Sequence, residues 1–343
     1  MWGAVFIVGA VISQGCHLKN GADSDSDTMK ETSEDSSAVL ACAPETPESL
    51  AACAEKQNYV NWLSEVAILR PPGSDGWQKV QDLCATELER SGYQVQRQNF
   101  EGGTNVIGRI PGKSDADAHV IVSAHYDHIE DCTGADDNGS GVAGLLETAR
   151  VLSLMSHKKS LIVACWDQEE NGYLGSKQFV ADAVKSKMNI ELAFVYEMIG
   201  YINDSPNSQH LPDGFDQLFP DAVSAIETND SRADFAAILA NQAAGNPGTA
   251  MTAFANSIGL PAYLIVVPDE LQQLSALSDL RRSDHASFWS AGFPAINITD
   301  TANMRYAGYH CENEQDAIKN LNHNFTTRII RSTVFAAATA LNQ

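Results

Sequence analysis

One histidine and several carboxylates follow short apolar runs of this sequence, and their types are suited to binding divalent metal ions. They are His125, Asp127, Asp136, Asp137, Glu169, Glu170 and Glu197. Imidazole and carboxylate ligands without a cysteine favour zinc or a harder divalent ion. A carboxylate can also bridge two ions about 3.5–4 Å apart, which is the arrangement of many hydrolases. The pattern therefore indicates a metal-dependent hydrolase.

The adjacent pair Glu169 and Glu170, and Asp127 close to His125, could also support a bound metal without all binding it. Glu169 and Glu170 are adjacent after an apolar run, so their side chains project in different directions. One can bind a metal while the other acts as a general base. Asp127, two residues after His125, can accept a hydrogen bond from the ring nitrogen that does not bind metal.

The elements that must position these residues are alternating strands and helices, which begin at about residue 59. The predicted strands are Tyr93–Phe100, Asn105–Ile110, His119–Ala124, Leu161–Trp166, Leu192–Tyr196, Ala262–Val267 and Ala295–Ile298. Continuous apolar strands alternating with helices predict an α/β fold: a single domain with a mostly parallel mixed sheet flanked by helices on both faces. Ligands of such sheets bind beyond the carboxyl ends of the strands, which is where the carboxylates fall.

The composition of the chain excludes some classes of protein and of partner. The chain has 343 residues, of which 44% are apolar, and its 44 acidic against 22 basic residues give a formal charge of −22. So many apolar residues exclude wholesale disorder. The acidic excess argues against a nucleic-acid partner, because phosphate binding needs Lys and Arg.

The N-terminus has the composition of an export signal. An apolar stretch, Trp2–Ile12, is followed by a Gly and Cys16, as in a bacterial lipoprotein signal. We therefore predict a signal peptide over 1–16, an acidic Ser/Asp-rich tether over 17–57 and a catalytic domain over 58–343. The protein would be exported to the periplasm or the exterior, with Cys16 as a possible lipid anchor, and we expect a monomer.

Taken together, these motifs resemble the co-catalytic zinc aminopeptidase family, which includes bacterial leucyl aminopeptidases and glutamate carboxypeptidases. The similarity runs from about residue 60 to the C-terminus, and the motifs occur in the family's order. They are His125-Tyr-Asp127, Gly134–Gly141, Glu169–Ser176, Glu197–Gly200, Ser283–Phe288 and Tyr309-His310.

The resemblance implies a role for each matching residue. Asp137 would bridge two zinc ions (other divalent ions are possible), His125 and Glu197 would complete one site, and Glu170 and His310 the other. Glu169 would be the general base, Asp127 the partner of His125, and Tyr309 a donor to the developing oxyanion. The bond between Asp137 and Asn138 would be cis.

The sequence departs from the family in two places. Glu197 stands where an Asp is commoner. After His310 the family has an acidic residue, and both Glu314 and Asp316 are candidates for that position.

Four cysteines suggest two disulfides. Cys42 and Cys53 can pair if the compartment is oxidising. Cys132 and Cys311 both lie near the implied metals, where a disulfide is favoured over a role as extra ligands. Cys165, within an apolar strand, is expected in the core.

Other features have simpler interpretations. His128 and His210 are expected at the polar surface, whereas His285 is either a residue of the substrate cleft or a support for the site. The stretch 203–256 is interpreted as a loop-rich insertion over the site.

The sequence therefore predicts an exported metallo-aminopeptidase that removes N-terminal residues from peptides with a free N-terminus. Its two metals would activate a water molecule, with Glu169 as base. The alternatives are a carboxypeptidase or a single-zinc glutaminyl cyclase-like enzyme of the same clan, or a non-catalytic binding domain on this scaffold.

Overall fold

A computed structural model describes residues 42–343. Its strands are β1 (Gln94–Phe100), β2 (Gly103–Ile110), β3 (Asp115–His125), β4 (Lys159–Trp166), β5 (Asn189–Glu197), β6 (Ala236–Asn241), β7 (Ala262–Val267) and β8 (Ala295–Thr299). Its helices are α1 (Pro47–Ala52), α2 (Lys56–Val66), α3 (Asp75–Arg90), α4 (Gly141–Leu152), α5 (Leu174–Ser186), α6 (Phe215–Leu218), α7 (Pro220–Thr228), α8 (Gly245–Ser257), α9 (His285–Ser290) and α10 (His323–Asn342). No helix within these residues is long and apolar enough to cross a bilayer.

All eight strands form one mixed sheet in the order β1-β2-β4-β3-β5-β8-β6-β7. The four central strands, β4, β3, β5 and β8, run parallel. β2 joins them antiparallel through β4, and β6 joins them antiparallel through β8. The carboxyl ends of the central strands therefore meet at one edge, as the sequence predicts.

Both faces of the sheet are covered, which is why its central strands are apolar throughout. Val120 and Val122 of β3 face a core that includes side chains of α2, α3, α4, α8 and α10. Ile121, between them, faces a second core with side chains of α5, α7 and α9. The predicted α/β architecture is confirmed.

Two boundaries differ from the sequence prediction. Residues 42–57, assigned to the tether, belong to the folded unit: α1 lies there and Leu50 is fully buried. The stretch 203–256 is not a loop-rich insertion, because it contains β6, α6, α7 and most of α8. The predicted signal peptide, Cys16 and the remainder of the tether lie outside the described residues.

Candidate functional site

The predicted metal ligands converge at the carboxyl edge of the sheet. His125 ends β3 and Glu197 ends β5, whereas Glu169 and Glu170 lie in the turn after β4. Asp137 lies in the turn 135–140 that leads into α4, and its peptide bond to Asn138 is cis, as expected. Because β3 pairs in parallel with both β4 and β5, these side chains face a common cavity.

His125 presents an unpartnered nitrogen to the carboxylates. Its buried Nε2 atom has no hydrogen-bond partner among the described residues and lies 3.3 Å from Oε2 of Glu197 and 3.6 Å from Oδ1 of Asp137. Burial lowers the pKa of His125, but the carboxylates of Glu169 and Glu197 outweigh it and raise that pKa well above its ordinary value. A divalent cation would take the place of this proton.

His310 faces the other oxygen of Asp137. Its Nε2 atom lies 3.3 Å from Oδ2 of Asp137 and 3.4 Å from Oε2 of Glu170. Two ligands bound tetrahedrally to zinc at about 2.0–2.1 Å are roughly 3.3 Å apart. The donor types and spacings on both sides of Asp137 therefore fit zinc.

His128 is the principal correction to the sequence analysis. It was expected at the surface, yet it is fully buried, with Nδ1 2.8 Å from Oε1 of Glu170. It also forms a compact group of possible ligands with Asp137 and Glu170. Because 2.8 Å is a hydrogen-bond distance and shorter than the separation of two zinc ligands, Nδ1 of His128 is a hydrogen-bond donor to Glu170, and His310 stays the predicted ligand.

Glu169 lies beside the predicted ligands, and no basic side chain in the described part of the chain is hydrogen-bonded to it. Its Oε2 atom is 4.0 Å from Nε2 of His125. Burial, together with the nearby carboxylates of Glu197 and Asp284, raises the pKa of Glu169 well above its ordinary value. A carboxyl group in such surroundings holds a proton readily, as a general base must during turnover.

Asp127, the predicted partner of His125, also contacts the turn after β4. Nδ1 of His125 lies 3.2 Å from the main-chain oxygen of Asp127, whereas Oδ1 of the carboxylate is farther away, at 3.6 Å. The Asp127 carboxylate accepts hydrogen bonds from the main-chain N–H groups of Glu169, at 2.9 Å, and Glu170, at 3.2 Å. It therefore fixes the turn that carries both glutamates.

Asp316, rather than Glu314, contacts the turn that holds Asp137. The buried Asp316 carboxylate accepts main-chain hydrogen bonds from Asp136 at 2.9 Å and from Asp137 at 3.0 Å. Glu314 is exposed. The structure thus resolves the two candidates left by the sequence.

Arg70 is a supporting residue that the sequence analysis missed. It is fully buried, and its guanidinium donates to the main-chain oxygens of Tyr126, Thr133, Gly134 and Asp137 at 2.6–2.9 Å. These oxygens belong to the segments that carry His125 and Asp137. One side chain therefore ties the two segments together.

Tyr309, the predicted donor to an oxyanion, lines the cavity beside the predicted ligands. Its ring stacks on His310, with centroids 3.9 Å apart, and its hydroxyl accepts a hydrogen bond from Nη2 of Arg282 at 2.7 Å. Ser283 donates to Oε2 of Glu197 at 2.6 Å.

The predictions for the cysteines and for His210 agree with the structure. Both disulfides, Cys42–Cys53 and Cys132–Cys311, are present, and Cys165 is buried and free. His210 is exposed, as predicted.

His285 is not a cleft residue. It is buried, and its Nε2 donates to the main-chain oxygen of Leu280 at 2.8 Å.

Comparison with known proteins assigns the family. Residues 105–337 match the model of peptidase family M28. The chain is 30% identical to the uncharacterized protein YfbL of Escherichia coli K12, over 62% of this chain and 64% of that protein. It is 25% identical to leucine aminopeptidase 1 of Chaetomium globosum, over 72% of this chain and 57% of that one. The chain thus spans less than two thirds of both relatives.

The fold is also similar to that of the Legionella pneumophila LapA aminopeptidase. The TM-score is 0.66 at 15% identity, over 87% of this chain and 75% of that one. The likeness at this low identity concerns the fold, whereas the family model covers most of the chain together with the predicted ligands. The chain belongs to peptidase family M28.

Proposed function

We propose that this protein is an exported aminopeptidase that uses two zinc ions to remove N-terminal residues from peptides. The observation that carries this proposal is the position of Asp137, whose two carboxylate oxygens face two different histidines, His125 and His310. Glu197 would complete the His125 site, and Glu170 the His310 site. When bound, zinc supplies Lewis acidity and lowers the pKa of a coordinated water.

The protein's own groups would then move the protons. The carboxylate of Glu169 would accept a proton from the attacking water and return it to the nitrogen of the leaving amine. The hydroxyl of Tyr309 would donate to the oxyanion, held in place by Arg282. Glu197 and Glu169 would also attract the positively charged α-amine of the substrate.

An apolar pocket of about 70 Å³ adjoins this cavity, and Glu197, Arg282 and Tyr309 line both. Its walls are mainly apolar and include Leu211, Phe215, Phe235, Tyr263, Ile265, Leu280 and Met304. A pocket of this composition would receive an apolar N-terminal side chain.

The direct test is hydrolysis of Leu-Gly-Gly compared with its N-acetylated form, with and without a zinc chelator. We expect release of leucine from the free peptide only, and loss of that release with the chelator. Release of the C-terminal residue from the acetylated peptide would indicate a carboxypeptidase instead. Chelator-insensitive release would contradict the metal-dependent mechanism.

Export is supported by the two disulfides, because such bonds persist in oxidising compartments. We propose that the N-terminal segment directs export and that Cys16 carries a lipid. Fractionation of the full chain and of a Cys16→Ser variant would test this: the variant should move from the membrane to the soluble exported fraction.

A further inference from the structure

A second depression lies next to the predicted catalytic cavity, between α5 and α9. This α5–α9 groove has a volume of about 540 Å³. Its lining residues include Tyr173, Lys177, Val184, Arg281, Ser290 and Ala291. Neither the predicted ligands nor Glu169 belong to it.

Tyr173 connects the groove to the catalytic cavity because its side chain lines both. The apolar pocket lies elsewhere around the cavity and shares Glu197, Arg282 and Tyr309 with it, but not Tyr173. If the N-terminal side chain occupies the apolar pocket, the rest of the peptide must leave the cavity by another opening. The α5–α9 groove, reached past Tyr173, provides one.

The groove carries positive charge in a strongly acidic protein. Lys177 is exposed, with Nζ 5.4 Å from the ring centroid of Tyr173. Within residues 42–343 the buried Nε atom of Arg281 has no hydrogen-bond partner, and its Nη1 lies 3.4 Å from Oε1 of Gln273, a long contact. No carboxylate lines the groove among the described residues. Both cations are thus available to an anionic ligand.

We propose that the α5–α9 groove binds a carboxylate on the leaving part of the peptide, either an acidic side chain or the free C-terminus. The inference rests on the proposed aminopeptidase activity. Lys177 and Arg281 would pair with the carboxylate, while Val184 and Ala291 would contact neighbouring apolar atoms. The enzyme would then prefer substrates that are acidic on the C-terminal side of the cleaved bond.

Two pairs of peptides separate the two sources of the carboxylate. The first pair is Leu-Gly-Glu-Gly-amide and Leu-Gly-Gln-Gly-amide, which differ only in an acidic side chain. The second pair is Leu-Gly-Gly as the free acid and as the amide. We expect kcat/KM to favour the acidic member of at least one pair by about 1.5-fold to fivefold at low salt, the range for partly exposed ion pairs. The preference should fall in 0.5 M NaCl, about the range where such pairs are screened.

Variants assign the preference to the groove. Lys177→Glu and Arg281→Gln should each bring the preferred ratio towards one, whereas Lys177→Arg, which keeps the charge, should retain it. Because the readout is a ratio within one protein sample, partial misfolding of a variant does not mimic the effect.

Two results would overturn the inference. Cleavage of all four peptides with ratios near one in the wild-type protein would refute the groove's role and leave the aminopeptidase proposal intact. If none of the four peptides is cleaved, the proposed function is refuted and, with it, the groove's role.

Discussion

Nδ1 of His128 lies 2.8 Å from Oε1 of Glu170, while the other oxygen of that carboxylate, Oε2, lies 3.4 Å from His310. His128 therefore fixes the rotation of the carboxylate, and one oxygen remains directed towards the predicted metal. Hydrogen bonds from both histidines outweigh burial and lower the pKa of Glu170. The carboxylate thus stays ionised at neutral pH.

Removing this hydrogen bond should weaken metal binding. We expect His128→Ala to reduce zinc affinity by about 10- to 100-fold, the usual cost of losing a partner of a metal ligand. His128→Asn, whose amide nitrogen can occupy the position of Nδ1, should retain most of the affinity. Competition with a zinc chelator measures both. Equal affinities for the two variants would show that the hydrogen bond has no such role.

Glu169→Gln should separate proton transfer from metal binding. The amide cannot accept the water proton, so kcat should fall by about 10²–10⁴, the contribution of a general base. Zinc content should remain that of the wild type. Near-normal turnover of a leucine anilide by this variant would contradict the role of Glu169.

The number of metals can be counted by elemental analysis. The wild type should hold two zinc ions per chain, because Asp137 offers one oxygen to each side. His310→Ala, with a half-buried ligand removed, should retain about one ion, as should His125→Ala. A wild-type content of one ion per chain would instead favour a single-zinc, cyclase-like site.

Arg70 lies outside the cavity, and we expect its removal to lower the stability of the folded protein. Arg70→Met leaves several buried main-chain oxygens without a donor, so we expect the free energy of unfolding to fall by at least about 2 kcal/mol. Arg328→Met, at an exposed position, should change it by less than about 0.5 kcal/mol. Urea denaturation measures both, and similar values for the two variants would contradict the assignment.

His285 should make the stability of the protein depend on pH. Burial lowers its pKa from 6.5 to about 4. Neutral His285 therefore contributes stability that is fully present above pH 6.5 and is lost as pH falls towards 4. A shift of this size corresponds to about 3 kcal/mol.

Chelator-treated protein allows this contribution to be measured without metal release. The difference in unfolding free energy between wild type and His285→Gln should decrease by about 2 kcal/mol between pH 7 and pH 4.5, in favour of the variant. The exposed His210→Gln should show no such change. A constant difference across this range would show that His285 does not titrate as described.

Most of the fold was predictable because its signals are local. The runs in β3, β4 and β5 are apolar and bounded by polar residues, so both the strands and their carboxyl edge follow from the sequence. β6 was missed because Ala236–Asn241 contains three alanines, which have little preference for strands. It is a strand because β7 and β8 pair with it on both sides.

The site, like the fold, was predictable where its residues lie in local sequence patterns and not where long-range contacts hold them. Asp137 lies in the turn before α4 and Glu170 in the turn after β4. Both belong to motifs that occur in the family's order, so the sequence identifies them. His128 and Arg70 could not be found in this way. Their contacts join segments 42 and 67 residues apart in sequence, which no local pattern encodes. The short sequence between His125 and His128 was nevertheless a signal, since His125 ends β3 and His128 lies three residues beyond it.

The disulfide Cys132–Cys311 joins positions 179 residues apart, one five residues before Asp137 and the other directly after His310. His310 is the most exposed of the predicted ligands and lies outside the sheet. The covalent link thus confers on a peripheral loop the fixed placement that β3 and β5 give to His125 and Glu197. We therefore expect a thiol reductant to abolish activity by releasing the loop that carries His310, while the sheet itself remains folded.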